Sequence, residues 1–146
     1  MDVTSLGHVV LKVRSLARAE AFYHGVLGLP VAARTAEPFH MTFFTLGNHH
    51  DFAVMAVGDD AAEADPAAVG LFHVAFRIGD SLDQLLEAKR ELADQGIGTD
   101  LEMDHTVTKS LYLHDPDGNM VELYVDASDA WRTRPQLVAD AVLTDF

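Results

Sequence analysis

GHVVLKV (residues 7–13) runs into SLARAEAFYHGVLGL (15–29), and FHVAFRI (72–78) runs into SLDQLLEAKRELADQGI (81–97). Each pair reads as a strand with period-2 apolar alternation followed by an amphipathic helix, so the chain carries one unit twice. Ser15 and Ser81 are helix N-caps by residue type, and Gly28 and Gly96 stand where the helices should end. Leu16, Ala19, Phe22, Tyr23 and Val26 form the apolar stripe of the first helix. Leu82, Leu85, Leu86 and Leu92 form that of the second.

Further strands follow each helix. MTFFTLG (41–47) and DFAVMAV (51–57) complete the first unit. KSLYLHD (109–115) and NMVELYV (119–125), joined by the turn residues Pro116-Asp117-Gly118, complete the second. Both units read as β-α-β-β-β, with the least pattern in the second strand of each. The expected layout is a single domain over residues 1–146. Module 1 spans about 5–57, an acidic Ala-rich linker GDDAAEADPAAV spans about 58–69, module 2 spans about 70–126, and a tail covers 127–146.

The bulk numbers fit one globular domain with a substantial core: 146 residues, 49% hydrophobic and 23% charged. There is no run of about 18 apolar residues and no basic or apolar leader, so neither a membrane span nor a secretory signal is expected. The absence of cysteine removes disulfide and thiolate chemistry and agrees with a cytoplasmic setting. A net charge of −13 argues against nucleic acid and anionic membranes as partners.

The strand alternation also selects chemistry. His8 shares a face with Leu6, Val10 and Lys12, and His73 shares one with Leu71, Ala75 and Arg77. Superposing the repeats sets His8 on His73. A lone His in an apolar strand is commonly a core residue, but symmetry-related histidines are hard to ascribe to chance. Glu122 lies between Val121 and Leu123, where burying a carboxylate costs several kcal/mol unless it is paired or metal-bound. His8, His73 and Glu122 are therefore candidate metal ligands. Two imidazoles and one carboxylate occupy one face of an octahedral ion and leave the other open, the arrangement of non-heme Fe(II) oxygenases.

These residues, with DHTVTKSLYLHDPDGNMVELYVD (104–126), resemble the vicinal oxygen chelate superfamily of glyoxalases, bleomycin and fosfomycin resistance proteins and extradiol dioxygenases. The resemblance covers roughly residues 5–126 and is nearest to type I catechol 2,3-dioxygenases. It implies an α+β fold in which two βαβββ modules form one cupped mixed sheet around a metal site. It further implies Fe(II), with Mn(II) as substitute, and ring cleavage of a catechol-type aromatic diol by dioxygen. Aligning HDFAVMAV with GNMVELYV puts Val54 opposite Glu122, so the fourth protein ligand usual in glyoxalase-like members is absent. By the same resemblance His50 is the acid–base catalyst, its neighbour His49 turning away, while His105 and Tyr112 flank the substrate oxygens. The family's usual pairing of two such domains implies a homodimer or larger homo-oligomer.

Two other readings stay open. A glyoxalase-like lyase or fosfomycin-resistance-like transferase would need cations for an anionic substrate, and Lys12, Arg77 and Lys109 are the candidates. A ligand-sequestering, bleomycin-resistance-like protein would typically lack the metal residues. His24, His40 and His114 read as a helix face, a loop and a turn-proximal strand. The tail WRTRPQLVADAVLTDF (131–146) reads as a cover for the cavity mouth or a subunit contact.

Overall fold

The computed structural model describes residues 1–65 and 67–146; Pro66, in the expected linker, lies outside the described residues. The chain divides into two compact units, 1–68 with 115–119, and 69–114 with 120–146.

The first unit holds β1 (Val9–Val13), β2 (Val31–Thr35), β3 (Met41–Phe44) and β4 (Phe52–Ala56) in the order β1-β4-β3-β2. β1 runs parallel to β4, with Val9 opposite Phe52 and Val10 opposite Ala53, and the other pairs are antiparallel. The parallel pair requires a crossover, and the helical segment after β1 supplies its first part. That segment starts at Ser15, whose hydroxyl accepts from Arg18 N, as α1 (Leu16–Glu20). It widens into a π-type stretch over Ala21–Val26 and ends near Gly28, whose φ of 73° suits glycine. Ala19, Phe22 and Tyr23 of the expected stripe are buried, and Tyr23 packs on Phe44 and Phe52.

Tyr23 also bonds the 115–119 turn, its hydroxyl donating to Asp115 Oδ2 at 2.9 Å. The buried Asp115 carboxylate further accepts from Asp117 N, Asn119 N and Asn119 Nδ2 at 2.8–2.9 Å. A buried charge is tolerated only with such satisfaction. Burial and the neighbouring Asp115 charge push the Tyr23 hydroxyl far above its ordinary range. Gly118 closes the turn at φ 86°.

The second unit repeats the plan. β5 (Val74–Gly79), β6 (Leu101–Asp104), β7 (Thr108–His114) and β8 (Met120–Asp126) are joined by β9 (Val142–Thr144), in the order β5-β8-β7-β6-β9. α2 (Leu82–Asp94) opens on a capping box, Ser81 and Gln84 exchanging side-chain and backbone bonds, and closes at Gly96 with φ 75°. Leu85 packs with Leu111 and Val125, with Ile78 and Phe146 against them. Leu82, assigned to the apolar stripe by periodicity, is the first residue of α2 and stays 39% exposed. Residues 142–144 of the tail extend the sheet, Glu102 pairing with Thr144. Among the described residues no helix is long and apolar enough to cross a membrane.

Candidate active site

Sheet registers decide which side chains meet. In the second unit Ala75 and Tyr112 both lie opposite Glu122, on β5 and β7 respectively. Alternation therefore turns Tyr112, Glu122 and the residues in phase with Ala75, including His73, to the face away from Leu111 and Val125. His73 Nε2 is 3.0 Å from Glu122 Oε2. Ser110, two residues before Tyr112 on the same face, is buried and donates from Oγ to Glu122 Oε1 at 2.6 Å. One carboxylate oxygen is thus held by the protein, and the other lies beside the imidazole.

This pair fits a divalent ion. Two donor atoms about 2.1 Å from a shared ion and at right angles lie about 3.0 Å apart. A neutral imidazole nitrogen and a carboxylate oxygen are also the donor types such an ion takes. His73 Nδ1 is buried and has no hydrogen-bond partner among the described residues. It departs there from the usual ligating histidine, whose second nitrogen donates to an acceptor.

Tyr112 and His105 meet on the same face. The Tyr112 hydroxyl is 3.1 Å from His105 Nε2, and His105 Nδ1 is 3.1 Å from the Asp140 carbonyl. A carbonyl only accepts, so neutral His105 carries its proton on Nδ1 and Nε2 accepts from Tyr112. The tail therefore sets the tautomer of a site histidine. Burial first, then the Glu122 charge, push the Tyr112 hydroxyl up to about 12, so it keeps its proton at neutral pH. His105 sits in the β6–β7 turn, where Thr106 adopts the left-handed region at φ 67°. The Asp104 carboxylate accepts from Thr106 N at 2.8 Å and holds that turn.

The first unit brings His8 and His50 together. Their ring centroids are 4.2 Å apart, and Phe43 packs edge-on against His50 at 5.3 Å. His8 stands just before β1, and Val9 N bonds the Asp51 carbonyl at 3.2 Å, which ties the strand's start to the β3–β4 turn. Desolvation, then His8 and His49, hold the His50 imidazole below its ordinary value against a smaller opposing effect of Asp51. His49 does not turn away as expected: its ring lies 4.6 Å from His50. The turn is tight enough to keep adjacent side chains on one side, where a regular strand would alternate them.

Two further differences from the sequence reading follow from register. With His8 and His73 equivalent, Val10 matches Ala75, so the residue opposite Glu122's position is Ala53, one before Val54. Neither alanine nor valine coordinates, so the first unit offers no fourth ligand there. Ser110 was not singled out, although its parity with Tyr112 across a two-residue step was readable. Of the remaining histidines, His24 Nδ1 bonds the Leu29 carbonyl at 2.9 Å and His114 pairs with Asp100 at 2.7 Å.

The six sequence-derived residues thus form two groups, His8 with His50 in the first unit, and His73, His105, Tyr112 and Glu122 in the second. The chain is 40% identical over 131 residues to biphenyl-2,3-diol 1,2-dioxygenase 3 of Rhodococcus globerulus, covering 86% of this chain and 66% of that one. It is 32% identical over 124 residues to the catechol-2,3-dioxygenase of Bacillus subtilis, covering 84% and 42%. The chain therefore spans only about 40–66% of the length of these relatives. The fosfomycin resistance protein FosX of Listeria monocytogenes shares the fold at a TM-score of 0.70 and 20% identity, with 91% of this chain and 99% of that one covered. Residues 5–123 match the family described as Glyoxalase/Bleomycin resistance protein/Dioxygenase superfamily, and the chain belongs to it.

Proposed function

We propose that the chain is an extradiol dioxygenase that opens the ring of a catechol-type aromatic diol beside its hydroxyls, with His8, His73 and Glu122 as metal ligands. The observation that carries this reading is the grouping of His73, Glu122, Ser110, Tyr112 and His105 on one sheet face, in a chain whose relatives bear dioxygenase names. Fe(II), or Mn(II) in its place, would hold the diol oxygens and make dioxygen reactive toward the ring.

The protein's own part is positioning and proton transfer. Tyr112 presents a hydroxyl beside the Glu122 carboxylate, and His105 presents the acceptor nitrogen behind it. That pair orients one substrate oxygen by hydrogen bonding. His50 takes the second diol proton and returns it as the ring opens, a role suited to an imidazole near neutral pH. Phe43, edge-on against His50, gives that imidazole an apolar neighbour.

The transferase reading loses support from the basic residues. Arg77 is paired with Asp126 at 2.6 Å and lies 4.0 Å from Asp80, and Lys109 is paired with Asp104. Two of the three cations available for a phosphonate are thus already neutralised. Oxygen uptake by anaerobically Fe(II)-loaded protein, given a panel of small catechols, tests the proposal. The expected result is uptake with a yellow ring-opened product, abolished in His8→Ala. Bound iron with no uptake across the panel would overturn it.

A further inference from the structure

We propose that His8, His49 and His50 form a second, all-imidazole site for a borderline divalent cation such as zinc. Each of the three offers one ring nitrogen, and these nitrogens lie within 4.8 Å of one another. The grouping is built by the backbone. Asp51 Oδ2 accepts from Leu46 N at 2.6 Å and Asn48 N at 3.3 Å, and Thr45 Oγ1 donates to the Asn48 carbonyl at 2.6 Å. These bonds fold residues 45–51 into a closed turn that presents His49 and His50 on one side. The Val9 N bond to the Asp51 carbonyl brings His8 alongside.

Nitrogens on a tetrahedral zinc ion are about 3.3 Å apart. His8 and His49 are exposed, so rotation about their side-chain torsions closes the difference without moving the sheet. Three imidazoles leave a fourth position for water. A donor set without a carboxylate favours zinc, nickel and copper over magnesium, calcium and manganese, and the general order of affinities sets zinc above Fe(II). Where the dioxygenase reading holds, His8 belongs to both ligand sets, so the two occupancies exclude each other. Zinc in the imidazole site then withdraws His8 and His50 together, and zinc inhibits by occupying the first unit.

The test uses the metal-free full chain, zinc competed against a chromophoric chelator, and Co(II) as spectroscopic surrogate. His73→Ala leaves the imidazole site intact, and Glu122→Gln serves as the alternative background if that variant misfolds by circular dichroism. Either background should bind one zinc per chain and give the intense visible bands of four-coordinate Co(II). Adding His49→Ala should weaken zinc at least about tenfold and remove the bands. Unchanged zinc affinity after His49→Ala, or no zinc bound by a folded His73→Ala or Glu122→Gln variant, would overturn the site. In oxygen uptake, with each rate taken relative to its own zinc-free rate, the His49→Ala single variant should resist zinc about tenfold better than the parent. If uptake is absent even without zinc, the dioxygenase reading fails while the binding comparison still decides the imidazole site.

Discussion

The two units share a parallel strand pair, a helix after its first strand and a histidine just before that strand, and one difference between their ladders bears on chemistry. Where the second unit has Glu122, the first has Ala53. Around Glu122 the second unit assembles a buried hydroxyl, an imidazole and a phenol. In the first unit Ala53 lies opposite Val10 and Phe43, and the grouped donors are the imidazoles of His8, His49 and His50. A repeated scaffold thus supplies the same strand geometry twice, and the carboxylate makes one copy chemically distinct. Glu122→Ala tests this most severely. Activity with a catechol should fall by more than about 10³-fold, and Fe(II) affinity should fall with it, because the proposed carboxylate ligand is lost. Ala53→Gly at the matching position should cost about 1 kcal/mol of stability and leave turnover within about threefold. Equal losses of activity in the two variants would break the comparison.

The first unit's contribution to chemistry is tested by His50→Ala. Bound iron should be retained while kcat falls about 10²–10⁴-fold, the usual worth of a positioned acid–base group. Full activity would remove the role assigned to His50. A smaller effect belongs to Ser110, whose hydroxyl bonds Glu122. Ser110→Ala should weaken Fe(II) about tenfold by freeing Oε1, and Ser110→Thr, which keeps the hydroxyl, should restore most of the affinity. Loss of stability in Ser110→Ala without a change in metal affinity would reduce Ser110 to a packing residue.

Much of this was legible because it depends on period and punctuation. The strand–helix repeat, the Ser15 and Ser81 caps and the turn at Pro116-Asp117-Gly118 are local signals, and all stand where the residues put them. The features that escaped are those set by pairing across the chain. A one-residue register choice separated Ala53 from Val54, and alternation failed for His49 because residues 45–51 form a bonded turn. Ser110 carries no strand-period signature of a ligand partner; only the β7–β8 register reveals what it touches. The tail's strand, β9, is three residues long and is defined by its pairing with β6 rather than by its own sequence.

The units diverge also in how each helix is tied to the strand that follows it, and the sign of the pair is reversed. In the first, Glu20 on α1 accepts from Arg34 on β2 at 2.7 and 2.8 Å and from Thr42 at 2.6 Å. In the second, Lys89 on α2 lies 2.8 Å from Glu102 on β6, and Glu102 also accepts from Phe146 N at 2.8 Å. Glu102 is buried, whereas the Arg34 side chain is 59% exposed. Glu102→Gln should therefore cost about 1–2 kcal/mol, since Lys89 keeps only the longer pair to the exposed Asp145 and the bond to Phe146 N weakens. Arg34→Leu should lower Tm by no more than about 2 °C at neutral pH. That small effect has a defined acid limb. The Arg34 and Thr42 hydrogen bonds hold the Glu20 carboxyl below its ordinary value of 4.5, against the opposing effect of partial burial. A depressed carboxyl stabilises the fold above its unfolded value, and that contribution disappears as pH falls through the lower folded one. Thermal melts of parent and Arg34→Leu should accordingly differ at pH 6–7 and converge as pH falls through the lowered folded value of Glu20. A gap that persists at acid pH would mean that Arg34 acts by packing its stem on the sheet and not through its charge.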